Sequence, residues 1–120
     1  MTLAPATPLA DLTEKEWAAQ VVQLAQTLGF KRYHTYRSTR SAPGWPDEAL
    51  VRDRLILLEL KAEKGRLSEA QKDWIRALLA AGVEVYVARP SDLEDLAQVL
   101  AARWRVSNGL AVRTRDAINA

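Results

Sequence analysis

The run Leu55-Ile56-Leu57-Leu58, extended by Leu60, is the most apolar in the chain and offers no polar face. A strand apolar on both sides belongs in the middle of a sheet that is covered on both sides. Yet Glu59 and Lys61 interrupt the run. Ionised side chains resist burial unless something compensates them. Side chains alternate along a strand, so these two charges share one face. Any fold of this chain must put that acid and that ammonium where each is balanced.

The rest of the sequence supplies the elements around this strand. Thr13 and Glu16 have capping-box spacing, and Trp17, Val21, Leu24 and Leu28 follow at helical intervals up to Gly29. The segment FKRYHTYRS is rich in aromatic and β-branched residues and suggests a strand. Thr39 to Pro46, with Gly44 between two prolines, reads as a loop. Strands at about Asp47–Arg52 and Arg54–Ala62 are expected to meet in a tight turn near Asp53. Ser68 and Gln71 repeat the capping box and open a helix through Trp74, Ile75, Leu78 and Leu79 to Gly82. Val83, Val85, Tyr86 and Val87 form a fourth strand, and Ser91 with Glu94 opens a last helix through Leu93, Leu96, Leu100 and Trp104. Trp17, Trp74 and Trp104 fall on helical stripes and are assigned to the core. The order α-β-β-β-α-β-α specifies an α/β protein with a mixed sheet flanked by helices. Its second helix is a crossover that sets the fourth strand parallel to its neighbour. From Val106 to Ala120 the signals are weak, and order there is expected to depend on a partner.

Composition narrows the chemistry. The 120 residues suit one domain, with 48% apolar and 27% charged residues as in ordinary globular proteins. No apolar segment approaches the ~18 residues of a membrane span. The first residues lack a basic region followed by an apolar core, so a short flexible arm is expected there rather than a secretory leader. Cysteine is absent and His34 is the single histidine, which excludes disulfides and thiolate sites and argues against a His-rich zinc site. A cation would be held by carboxylates and backbone oxygen, a donor set that favours Mg²⁺ or Mn²⁺. Net charge is only +2, but Lys31, Arg32, Arg37 and Arg40 lie in an acid-free stretch, and Arg103, Arg105, Arg113 and Arg115 repeat the pattern. Such segments beside carboxylates suit a phosphate backbone.

If the hairpin turns symmetrically about Asp53, residues equally distant from it pair, and Asp47 stands directly across from Glu59 on the same face. Two carboxylates and the Lys61 ammonium then converge. Close carboxylates repel, and a divalent cation removes the repulsion while the lysine balances the remainder. Glu14 lies on the inward stripe of the first helix and is the candidate fourth member, whereas Glu16 has a capping role. Alternatively, Glu14 is an exposed first-turn acid favoured by the helix dipole.

The string Pro46-Asp47 followed by Glu59-Leu60-Lys61 resembles the PD-(D/E)xK nuclease signature. TEKEW opening a helix, then GWPD, ELK, GRLSEAQKDW and AGVEVYV, resembles the virus-type replication-repair nuclease (VRR-NUC) family from about Thr13 to Asp95. The resemblance implies a restriction-endonuclease-like α-β-β-β-α-β core with an extra C-terminal helix. It also implies an organisation into an N-terminal arm (1–12), a nuclease domain (13–104) and a basic C-terminal tail (105–120). Asp47 and Glu59, with the Leu60 carbonyl, are the implied Mg²⁺ ligands, Mn²⁺ being an alternative cation, and Glu14 from the first helix is the candidate further ligand. Lys61 is the implied catalytic lysine. Gln71 matches a position that such nucleases use near the site, and it is also the capping residue of its own helix. Lys31, Arg32, Arg37, Ser38 and Arg40 are candidate phosphate contacts, and His34 is read as a strand residue rather than a ligand. Trp45 could stack on a base, but packing against the first helix is its expected use. Glu48 departs from the family's apolar preference and is read either as a solvent-facing edge residue or as an extra acid near the cation.

The implied activity is a Mg²⁺-dependent DNA endonuclease acting on branched DNA in the manner of a Holliday-junction resolvase. Paired cuts imply a homodimer, with cytoplasmic work in a bacterial cell or a phage-infected host and a replication or repair protein as a further partner. A nicking, flap or RNA nuclease, and a nucleic-acid-binding module with a decayed site, are the alternatives. The intact Asp47, Glu59 and Lys61 speak against the decayed module.

Overall fold

The computed structural model describes residues 7–35 and 42–120. Arg37, Ser38 and Arg40 lie outside the described residues. Helix α1 (Glu14–Thr27) is fixed at its start by reciprocal bonds: the Glu16 N–H donates to the Thr13 hydroxyl at 3.1 Å, and the Thr13 N–H donates to Glu16 Oε1 at 3.0 Å. Such a cap is worth about 1 kcal/mol. Strands β1 (Lys31–His34), β2 (Glu48–Val51) and β3 (Leu55–Leu60) form an antiparallel meander. Helix α2 (Glu69–Ala80) then crosses over and delivers β4 (Val85–Ala88) parallel to β3. The sheet order β1-β2-β3-β4 places the apolar β3 inside the sheet.

The even residues of β3, Ile56, Leu58 and Leu60, enter a core with Trp17, Val21 and Ala25 of α1 and with Leu96, Val99 and Leu100 of α3 (Leu93–Ala101). On the other face Leu57 packs with Ile75 of α2, Val85 and Val87 of β4, and Ile118. Trp17 is fully buried and its Nε1 donates to the Ala88 carbonyl at 2.9 Å. Truncating such a side chain costs about 3–5 kcal/mol. The bond also holds the first turn of α1 beside the C-terminal ends of β3 and β4. At the opposite end of the sheet, the buried Glu84 accepts from Arg54 Nε at 2.7 Å and from the Tyr86 hydroxyl at 2.7 Å, so its charge is paired.

The α-β-β-β-α-β order and mixed sheet agree with the restriction-endonuclease-like core expected from the sequence. Four details differ. Helix α3 begins at Leu93 and not behind a Ser91–Glu94 box, because the Ser91 N–H and hydroxyl both donate to the Glu63 carboxylate. Trp104 is 73% exposed and no part of the core, since the helix ends before it reaches that position. Trp45 stacks edge-on against Trp74 at 5.0 Å between ring centroids, so it packs on α2 and not on the first helix. The segment Val106 to Ala120, expected from the sequence to depend on a partner for its order, contains a helix, α4 (Gly109–Ile118), which packs on its own chain and buries Leu110, Thr114 and Ile118. Among the described residues no helix is long and apolar enough to cross a membrane.

Candidate active site

The hairpin register is Glu48↔Leu58, Ala49↔Leu57, Leu50↔Ile56 and Val51↔Leu55. One step further along this register sets Asp47 opposite Glu59, as the symmetric turn predicts. The Leu60 N–H donates to Asp47 Oδ2 at 3.0 Å, which ties the start of β2 to the end of β3. Glu59 is buried, and Gln71 Nε2 donates to its Oε1 at 2.8 Å. The same glutamine accepts from the Ser68 N–H at 2.8 Å through Oε1, so it caps α2 and meets the site at once. Lys61 Nζ lies 4.0 Å from Glu59 Oε1 and 3.8 Å from Glu14 Oε1. Four elements thus contribute: the end of β3, the entry to β2, and the first turns of α1 and α2.

The electrostatics are unbalanced at one atom. Glu59 Oε2 is a buried side-chain oxygen without a hydrogen-bond partner among the described residues. Burial pushes the Glu59 pKa up to about 9, the Asp47 carboxylate adds to the rise, and the Lys61 ammonium pulls against it. Near neutral pH this carboxyl therefore either keeps a proton, which Asp47 can share, or takes a cation in the proton's place. Two carboxylates with one uncompensated buried oxygen form a hard-oxygen donor set that fits a divalent cation completed by carbonyl oxygen and water. The acidic cluster is two-membered. Among the described residues no group of three His, Asp or Glu side chains is gathered closely enough to hold an ion. Glu14 leans on Lys61, and its side chain is half exposed.

The loop before Asp47 is held by a contact that the sequence pattern did not single out. Gly44 has φ +89°, and a Cβ there would lie 2.4 Å from the Ala70 carbonyl carbon and 2.7 Å from the Gln71 nitrogen. Only glycine lets the GWPD backbone lie against the first turn of α2. That contact fixes the position of Asp47 relative to Gln71.

Glu48 meets neither expectation. It is buried, accepts from Arg32 Nε at 3.1 Å, and lies 2.9 Å from His34 Nδ1. Being one residue from Asp47, it points to the opposite side of the strand. Arg32, a candidate phosphate contact, is engaged in this pair. Lys31 is exposed opposite Val51, at the end of the hairpin away from Asp47. His34 is a strand residue, as read from the sequence.

A family model, the VRR-NUC domain, matches residues 9–92, most of the chain. The chain belongs to the VRR-NUC family. No curated protein and no solved structure matches it. Membership implies a nuclease of the PD-(D/E)xK type, a DNA substrate and the divalent-metal chemistry general to such nucleases. The match covers Asp47, Glu59, Lys61 and Gln71 and stops just before α3. Helices α3 and α4 of this VRR-NUC protein lie beyond it.

Proposed function

We propose that the protein is a Mg²⁺-dependent endonuclease that cuts branched DNA as a symmetric homodimer in the cytoplasm. The observation that carries this reading is the pairing of Asp47 with a buried Glu59 whose Oε2 has no donor among the described residues, beside Lys61. Asp47, Glu59 and the Leu60 carbonyl would hold the cation, with Glu14 at the margin of the site. When bound, the cation supplies Lewis-acid polarisation of the phosphate and acidification of a water. Lys61 orients the nucleophilic water and offsets the negative charge that builds on the phosphorus centre during in-line attack. Gln71 keeps Glu59 Oε1 occupied, so Oε2 would be the oxygen left for a cation. The products are 5′-phosphate and 3′-hydroxyl ends.

A four-way junction needs two coordinated cuts, and one domain carries one site, so a C2 dimer is the arrangement that completes the reaction. The test is a panel of labelled four-way junction, flap, nicked duplex, linear duplex and RNA substrates, each with Mg²⁺ and with chelator. Symmetric, Mg²⁺-dependent cuts confined to the junction support the proposal. Preferential cutting of flaps, nicks or RNA rejects the four-way-junction specificity and keeps the chemistry. Binding without cleavage of any substrate rejects the enzyme.

A further inference from the structure

Helix α4 lies outside the family match, yet a continuous set of hydrogen bonds joins it to the segment that follows Lys61. The carbonyls of Ala62, Glu63 and Gly65 converge on one nitrogen, Arg89 Nη1, at 2.8, 3.2 and 2.6 Å. Gly65 itself sits against the aliphatic stem of Lys61: a Cβ placed there would be 3.6 Å from Lys61 Cδ. The Lys61 N–H donates to the Ala88 carbonyl at 3.2 Å, one residue before Arg89. Arg89 is fixed in turn, since its N–H donates to Asp92 Oδ2 at 2.8 Å. Asp92 is buried, and its other oxygen accepts from Arg113 Nε of α4 at 2.6 Å. Arg113 Nη2 donates to Asp95 as well.

Two further features show that the packing accommodates this fork. Gly109 leaves space where a Cβ would lie 2.5 Å from Arg113 Nη1, so a side chain there would displace the guanidinium. Thr114, next to Arg113, accepts from the Val87 N–H at 3.1 Å and donates to the Leu110 carbonyl at 2.8 Å, which docks α4 on the outer edge of β4. The guanidinium therefore meets Asp92 from a helix already seated on the sheet.

We propose that Arg113 and Arg89 are positioning residues for Lys61: α4 holds Asp92, Asp92 holds Arg89, and Arg89 holds the backbone from which the lysine projects. This rests on the nuclease reading for its catalytic consequence and on the hydrogen bonds for its mechanical one. A lysine carries about 2 kcal/mol of rotamer entropy, so its placement depends on the backbone and on what packs against its stem. A shift of about 1 Å at a catalytic group can cost on the order of 100-fold in rate.

The experiment combines hydrogen exchange of the 62–66 amides with single-turnover cleavage and DNA affinity, on the full chain. Arg113→Ala should speed exchange in 62–66 while β3 and α1 keep their protection. It should also lower kcat about 10–100-fold at unchanged KM and DNA affinity. Arg113→Lys, which keeps the charge but cannot bridge both aspartates, should fall between. If Arg113→Ala fails to fold, Arg113→Lys is compared with wild type by the same criteria. Unchanged exchange in 62–66, or faster exchange with wild-type kcat, overturns the proposal. If the wild type cleaves no substrate, the nuclease reading fails alone, and the exchange data still decide whether α4 holds the lysine segment.

Discussion

Gln71 Nε2 donates to Glu59 Oε1 at 2.8 Å, while the other oxygen of the same carboxylate is buried without a hydrogen-bond partner among the described residues. One oxygen is thereby satisfied by the protein and the other is not. The proposed cation site rests on this asymmetry, which an ordinary buried ion pair would not show. In an ion pair Lys61 would close directly on Glu59, whereas here it stands 4.0 Å away and shares itself with Glu14.

The first prediction concerns pH. Glu59 has a native pKa raised from 4.5 to about 9, so between those values the native state holds a proton that the unfolded chain has released. Stability of the cation-free protein must then fall as pH rises through that window, by at most about 1.4 kcal/mol per pH unit. Glu59→Gln removes the titrating group and should flatten the slope, leaving the variant more stable than wild type at pH 8. Urea melts at pH 5, 6.5 and 8 in chelator measure this, and equal slopes would reject the assigned protonation. Adding Mg²⁺ should stabilise wild type and not Glu59→Gln.

Gln71 serves both its helix and the site, and the two roles can be separated. Gln71→Glu keeps the acceptor for the Ser68 N–H but sets a carboxylate against Glu59, so α2 should stay capped while cleavage falls about 10–100-fold. Gln71→Ala should show a similar loss of rate together with about 1 kcal/mol of lost stability. Thermal melts run beside single-turnover rates distinguish these outcomes.

Two glycines with similar φ make a matched comparison. Gly82→Ala, at φ +82° with nothing near its Cβ among the described residues, should cost about 1–2 kcal/mol and leave the cleavage rate intact. Gly44→Ala meets the Ala70 backbone as well and should cost about 2–5 kcal/mol, with a fall in cleavage because Asp47 moves with the loop. Chemical denaturation and rates normalised to folded protein test the pair.

Glu48 is adjacent to Asp47 and is acidic, but it belongs to a different set of contacts. Glu48→Ala removes the buried carboxylate that accepts from Arg32 and should cost about 1–3 kcal/mol, moderated by the partial exposure of Arg32. Mg²⁺-dependent cleavage by the folded fraction should be unchanged. A loss as deep as that of a site variant would assign Glu48 to the cation after all.

Much of this was legible in the chain. Strand β3 announces itself by apolar residues on both faces, and the hairpin register follows from the distance to Asp53, because the observed pairs are symmetric about it. The capping boxes at Thr13–Glu16 and Ser68–Gln71 formed as spaced, whereas Ser91–Glu94 did not, because Ser91 turns to Glu63. What escaped the sequence depends on long-range packing. Helix α4 was hidden because its inward stripe is Leu110, Thr114 and Ile118, with arginines flanking the threonine. A threonine that satisfies a strand N–H looks polar in a pattern but is buried in the fold. Trp104 has helical spacing but lies past the helix end, and spacing carries no information on where a helix stops. The burial of Glu48 depends on its cross-strand neighbour His34 and on Arg32 two residues earlier, a partnership that alternation alone cannot reveal.

The most direct test of the site is Asp47→Asn. Asparagine keeps the side-chain oxygen that accepts from the Leu60 N–H, so the junction of β2 and β3 survives while the anionic charge is removed. Cleavage of a labelled four-way junction and binding to the same DNA should be measured for wild type, Asp47→Asn and Lys61→Ala. Cleavage should be abolished in both variants, with DNA affinity retained or increased in Asp47→Asn. Cleavage by either variant at the wild-type rate would contradict the assignment of this site.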